Sequence, residues 1–258
     1  MTPLRQLRTP HFQPLWDKLH RLSLWGMNIG PAGQLAESGE RWVLEQALAS
    51  NPAGRPFILF DAGANRGQYA KQALSIGNPD LRLHSFEPSP VVFGTLSGAV
   101  GSHPHARLFP FGLSNQDSEA ILHYHVGGEA EASLCKRDLR HWGIEQSQQV
   151  TVRLRRLDEV CESLGVRQID FLKIDVEGHE IWLLEGAGEM LTSRAIHTIQ
   201  FEFGGPNIES RTYFKDLFQK LNPHYNLFRV VYNGLQPVRE YSEFLETFLT
   251  VNFLAVTR

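Results

Sequence analysis

Phe57-Ile58-Leu59-Phe60-Asp61-Ala62-Gly63-Ala64-Asn65-Arg66-Gly67 decides the fold. An apolar run, Phe57–Phe60, meets an acid and two spaced glycines, and helix-like spacing follows over Gln68–Leu74. This reads as a buried strand that turns sharply into a helix. The glycines allow backbone to approach a ligand where a Cβ would collide. The first amides of the following helix can receive a carboxylate or phosphate.

A second acid narrows the ligand. Glu87 ends the apolar segment Leu81–Phe86, 20 residues after Gly67. Nucleotide-binding α/β folds place an acid there on ribose hydroxyls. A dinucleotide site would carry G-x-G-x-x-G, whereas this chain has G-x-N-x-G over Gly63, Asn65 and Gly67. A nucleoside without a pyrophosphate fits better. S-adenosylmethionine (SAM) offers a ribose for Glu87 and an amino-acid end for the glycine turn, with Asp61 taking its ammonium directly or through water.

The chain has 258 residues, 42% of them apolar, enough for a full core in one catalytic domain. Residues 1–50 read as an N-terminal helical segment and 51–258 as the domain. Net charge is −3 with both signs interspersed, so no basic run provides a footprint for nucleic acid. Cys135 and Cys161 are the only cysteines, too few for a disulfide framework and not spaced as metal ligands. No apolar run approaches about 18 residues, and no transmembrane segment is expected. These features read as a soluble, cytoplasmic protein.

Helical spacing over Leu15–Trp25 and Gly39–Ala49 precedes a break at Asn51-Pro52-Ala53-Gly54. Strands are predicted at 57–61, 82–86, 106–111, 119–125, 149–154, 169–174, 197–203, 227–232 and 248–256, several of them continuously apolar as doubly covered strands should be. Ile181, Leu184, Gly188 and Leu191 place a helix between two strands, a βαβ unit expected to be right-handed. Asn233-Gly234 signals a two-residue turn that folds 227–232 back as an antiparallel pair. Residues 127–133 read as a mobile loop.

Four segments in order carry a family resemblance: Phe60–Gly67, Ser85-Phe86-Glu87-Pro88, Phe171-Leu172-Lys173-Ile174-Asp175-Val176-Glu177-Gly178-His179-Glu180, and Val251-Asn252-Phe253-Leu254-Ala255-Val256. Over residues 38 to 256 the chain resembles the FkbM family of SAM-dependent methyltransferases. The resemblance implies an α/β class I methyltransferase (Rossmann-like) fold, a mostly parallel seven-stranded sheet with one antiparallel strand, plus N-terminal helices. It implies O-methylation of a hydroxyl on a sugar, glycan or secondary metabolite. It also places Asn65 and Pro88 beside Asp61, Gly63, Gly67, Glu87 and Asp175 in the cofactor site.

Asp175 ends a buried strand, on the rim where open α/β sheets hold ligands. Glu177 and His179 follow at i+2 and i+4; an extended loop keeps them on one side, and helical winding separates them. The alternative is that Glu177 and Glu180 only favour a helix N-terminus. His179 is the residue type most easily poised as a base near neutral pH. Glu202 closes the next strand and sits beside Asp175 if the two strands are neighbours. Two carboxylates there can bind a divalent cation, yet they are a thin ligand set, and no metal is assigned. The pairs His103/His105 and His123/His125, with His141, lack a third ligand of zinc spacing. Trp142 is a candidate sugar-stacking surface.

Two other functions remain open. An NAD-linked Rossmann oxidoreductase shares the strand, turn and acid but lacks the dinucleotide glycine spacing. A non-catalytic SAM-binding module would keep Glu87 while its acceptor face degenerates.

Overall fold

The computed structural model describes Arg5 and residues 7–30, 38–127 and 132–258. Residues 128–131, part of the expected mobile loop, lie outside the described residues.

Helices α1 (Gln13–Gly26) and α2 (Glu40–Ala49) precede the sheet. Strand β1 (Phe57–Ala62) leads through α3 (Gln68–Ser75) to β2 (Leu81–Phe86), then through α4 (Pro90–Val100) to β3 (Ala106–Phe109). Both helices start where the sequence permits little else: Gly67 takes φ +81° before α3, and Pro90 occupies the first turn of α4, where its missing N–H costs nothing. Three strands follow, β4 (Gly112–Ser114), β5 (Ser118–Tyr124) and β6 (Gln148–Arg156). Next come α5 (Leu157–Leu164), β7 (Ile169–Ile174), the short helices α6 (Glu180–Gly186) and α7 (Gly188–Thr192), and β8 (Ile196–Phe203). Helices α8 (Pro206–Ser210) and α9 (Phe214–Leu221) lead to β9 (Tyr225–Val231), β10 (Gly234–Val238) and β11 (Val251–Thr257).

The main sheet has the order β10-β9-β11-β8-β7-β1-β2-β3. Strands β3, β2, β1, β7 and β8 pair in parallel. β11 runs against both β8 and β9, and β10 against β9. This is the mostly parallel class I architecture, with a correction: there are eight strands and two reversed ones, not seven and one. The surplus strand is the second arm of the hairpin that Asn233-Gly234 predicts, with Gly234 opposite Val231. All six residues of β7 are buried, which explains their unbroken apolar character apart from Asp170 and Lys173.

The predicted strand 106–111 divides. Its first part is β3, and the chain then leaves the main sheet to form β4, which pairs with β6 in a small second sheet of order β4-β6-β5. The predicted helix after Asp175 is broken at Ala187, between Gly186 and Gly188. Gly186 admits the close approach of β4, because a Cβ there would stand 1.8 Å from the Ser114 carbonyl oxygen. The second sheet is thereby pressed onto α6.

Candidate active site

β1 lies between β2 and β7, where successive connections leave in opposite directions. A crevice opens outside the carboxyl ends of strands at such a point. The turns that leave these strands are tied together by backbone. Asp175 N donates to Ala62 O at 3.0 Å, and Gly63 N and Ala64 N both donate to Phe86 O at 3.0 Å. Gly63 takes φ +80°, and a Cβ on it would lie 1.8 Å from the Asp175 carbonyl oxygen. No other residue type fits there.

Glu87 is buried, and its carboxylate is fixed by main chain. Asn65 N donates to Oε2 at 2.9 Å and Ser89 N donates to Oε1 at 2.8 Å. Asn65 therefore serves through its amide, which its own left-handed conformation, φ +50°, turns toward the acid. Each carboxylate oxygen keeps acceptor capacity for a ligand hydroxyl. Burial pushes the Glu87 carboxyl up to about 7, against the two amide hydrogen bonds that favour its charged form.

Asp61 lies beneath the crevice, fully buried, and does not line its wall. Ser85 Oγ donates to Oδ2 at 3.4 Å, while among the described residues no donor reaches Oδ1. Burial pushes its carboxyl up to about 6, with Lys173 opposing the shift. Lys173 sits at the centre of this buried charge cluster. Its Nζ donates to Asp175 Oδ2 at 2.9 Å, lies 4.0 Å from Glu40 Oε1, and stands 4.9 Å above the Tyr69 ring. Burial disfavours its charge, but Asp175, Glu40 and Asp61 outweigh that and push its pKa up. Glu40 comes from α2 and also accepts from Gln200 Nε2 at 2.7 Å and Ser38 Oγ at 2.9 Å. Sequence reasoning missed Glu40 and Lys173 as a unit, since nothing in their spacing joins positions 40 and 173.

After Asp175 the chain neither stays extended nor winds into a helix. Glu177 takes φ +51° and Gly178 φ +97°, and α6 begins only at Glu180. The turn brings Asp175, Glu177 and His179 onto one cavity wall. Glu180 points away from it, accepting from Gly178 N at 3.0 Å and Asn207 Nδ2 at 2.9 Å, so it locks the turn to α8. His179 Nε2 lies 2.9 Å from Ser114 Oγ, and its ring stacks on Trp182 at 4.9 Å. Burial lowers its pKa to about 4, which keeps the imidazole neutral near pH 7.

Glu202 follows the last β7–β8 pair, Ile174 with Phe201, and so neighbours Asp175 as expected. It retains some accessible surface but is densely surrounded. Burial, then Asp175 and Glu177, push its carboxyl well above the usual range. It does not line the cavity. Among the described residues, no group of three or more His, Cys, Asp or Glu is arranged to hold a metal ion.

One cavity of about 90 Å³ joins the two sets of residues. Gly63, Asn65, Glu87 and Pro88 line one part of it, and Asp175, Val176, Glu177 and His179 another. Gly67 lies outside that lining, packed against Leu96 of α4. Its remaining wall comes from the second sheet and the loop between β5 and β6: Gly112, Leu113, Leu122, Ala132, Leu134 and Leu154. None of these six stands out individually in the sequence as a site residue, because an apolar wall built from short strands looks like core. Arg137 was also missed. Buried in the same loop, its Nη1 donates to Glu177 Oε2 at 2.9 Å, and Ser133 Oγ donates to Glu177 O at 2.7 Å. Trp142 remains exposed and off the cavity wall.

The profile of the Methyltransferase FkbM domain matches residues 61–230. The 2-O-methyltransferase NoeI of Sinorhizobium fredii (strain NBRC 101917 / NGR234) is 28% identical over 152 residues, 55% of this chain and 62% of that protein. The 31-O-demethyl-FK506 methyltransferase FkbM of Streptomyces tacrolimicus is 26% identical over 153 residues, 50% of this chain and 58% of that protein. The matched region thus spans less than two thirds of each of these relatives. Among solved structures, Methyltransferase FkbM from Methylobacillus flagellatus KT superposes with a TM-score of 0.48 at 13% identity, covering 78% of this chain and 43% of that one. With its domain profile matched from Asp61 to Val230, across the glycine turn, Glu87 and the Asp175 turn, the chain belongs to the Methyltransferase FkbM domain family.

Proposed function

We propose that this chain is a SAM-dependent O-methyltransferase whose acceptor is a hydroxyl of a sugar, glycan or secondary metabolite. One observation carries the reading: a single cavity runs from an amide-braced carboxylate, Glu87, to Asp175, Glu177 and His179. The residues fit the cofactor. Gly63 leaves room that a Cβ would fill, and Glu87 keeps acceptor capacity for two vicinal hydroxyls. When bound, SAM supplies a methyl group on a sulfonium, the electrophile of an in-line displacement.

The chain's own residues then have distinct tasks. Glu87 and Pro88 hold the ribose, and the Gly63 turn takes the amino-acid end. Asp61 acts from beneath, as a buried negative charge shared with Lys173, and not by direct contact. An aliphatic hydroxyl is a poor nucleophile, so it must be aligned in a dry pocket and relieved of its proton. His179 is assigned that proton because its ring lines the same cavity as Asp175 and Glu177. The apolar wall of Leu113, Leu122, Leu134 and Leu154 excludes water. The names of two relatives, a 2-O-methyltransferase and a 31-O-demethyl-FK506 methyltransferase, favour oxygen as the acceptor atom.

Incubation with methyl-labelled SAM and a panel of hydroxylated glycans and metabolites tests the reading. Label is expected in an O-methyl product. Label only in N-methyl products, or SAM binding without turnover on any acceptor, would overturn the assignment in favour of a nitrogen acceptor or a binding module.

A further inference from the structure

Helix α1 contributes no buried residue, yet it is rich in leucine and tryptophan. Leu15, Leu19 and Leu22 recur at i, i+4 and i+7, and with Trp25 they stand 43–65% exposed. At 3.6 residues per turn these three leucines form one stripe. Leu24 lies on roughly the opposite side of the helix and rests against the main core. The helix is therefore docked by its narrow face and presents its apolar face outward, where among the described residues nothing covers it.

Charge identifies the occupant. Residues 1–30 hold Arg5, Arg8, Lys18 and Arg21 against a single acid, Asp17, a net of +3, which leaves −6 for the rest of the chain. Lys18 and Arg21 follow one edge of the stripe. A two-fold pairing with a second copy would bring this segment against its own like charge. A surface of acyl chains beneath anionic headgroups satisfies both the leucines and the cations, and tryptophan favours that boundary. No described helix is long and apolar enough to cross a membrane, so the fitting geometry is one that lies on it.

We propose that α1 is an interfacial helix that docks this protein on an anionic lipid bilayer. Its anchor lies on the catalytic rim of the sheet. Gly30 N donates to Thr250 O at 2.9 Å and Asn28 Nδ2 to Val230 O at 3.2 Å, and Asn252, two residues after Thr250, pairs with Glu202. Docking therefore sets the side of the molecule that carries Asp175 toward the lipid surface.

Co-sedimentation of the full chain with vesicles tests this, using phosphatidylcholine alone and phosphatidylcholine mixed with phosphatidylglycerol. The chain is expected to pellet with the mixed vesicles and to be released by high salt. Lys18→Gln and Arg21→Gln each weaken partitioning about fivefold. The double substitution Leu19→Glu, Leu22→Glu weakens it by about two orders of magnitude while leaving the melting temperature unchanged, since both sites are exposed. The proposal is overturned if the chain stays in the supernatant, if it binds neutral and anionic vesicles equally, or if the double variant binds as the parent does. It is equally overturned by a stable dimer that the double substitution dissolves, in which case a second copy owns the face.

Discussion

Gly63 and the carbonyl of Asp175 approach so closely that a Cβ on Gly63 would stand 1.8 Å from that oxygen. The turn after β1 and the turn after β7 are thus one packed unit, and displacing either displaces both. Gly63→Ala must adopt φ +80° and also push Asp175 away, for a cost of about 2–5 kcal/mol. Gly77 has the same sign of φ, +72°, but open space around it, so Gly77→Ala costs only the strain, about 1–2 kcal/mol. Urea denaturation of the two variants checks the difference. Equal destabilisation would mean that the contact with Asp175 carries no energy.

Glu87 makes cofactor affinity depend on pH. Its carboxyl titrates near 7 because it is buried, whereas ribose hydroxyls donate to the ionised form. Binding must therefore release a proton at and below pH 7, and affinity should rise with pH through about 7 and then level off. The sign for the apo-protein is opposite. A raised carboxyl pKa means that the folded state holds its proton longer, so this group's contribution to stability is present below the unfolded pKa of 4.5 and lost as pH rises through about 7. Glu87→Gln should remove that loss, worth no more than about 3 kcal/mol, while weakening SAM binding tenfold to a hundredfold, or about 1–3 kcal/mol. Melting curves of apo-protein at pH 5 and 8 provide the check. A variant that loses stability with pH as steeply as the parent contradicts it.

Lys173 is the cation that makes Glu40 and Asp61 tolerable inside the protein. Lys173→Met leaves both carboxylates buried and uncompensated, at a cost of about 3–5 kcal/mol near neutral pH. The deficit should shrink on acidification, because the orphaned acids can then be protonated, and Glu40→Gln in the same chain should recover part of it. Denaturation at pH 5.5 and 8 measures this. A deficit independent of pH would assign the loss to packing of the Lys173 stem.

His179 should set no limb of the rate profile near its ordinary pKa of 6.5, because burial keeps it neutral down to about 4. His179→Asn, which preserves a polar contact for Ser114, is expected to lower kcat by about 10²–10⁴-fold with little change in the KM for SAM. A kcat within a few fold of the parent would transfer the base role to Asp175 or Glu177.

Much of this was legible in sequence for a physical reason. The strand–turn–helix at Phe57–Leu74, the acid at Glu87 and the rim at Asp175 are local, and backbone geometry forces their residue types. The Asn233-Gly234 hairpin was equally readable, although its consequence, an eighth strand, was not drawn. The remainder depends on distant pairings. β4 looks like the tail of β3 until it is seen to pair with β6, and Arg137 acquires meaning only beside Glu177. Asp61 shows the converse limit: an acid expected to take a ligand ammonium directly or through water lies beneath the cavity, held within the Lys173 cluster.

Calorimetric titration of the full chain with SAM, and separately with NADH, tests the central claim most directly. The account predicts one-site binding of SAM that is weakened tenfold to a hundredfold by Glu87→Gln, and no heat with NADH. Saturable heat with NADH, or SAM affinity indifferent to Glu87→Gln, would contradict it.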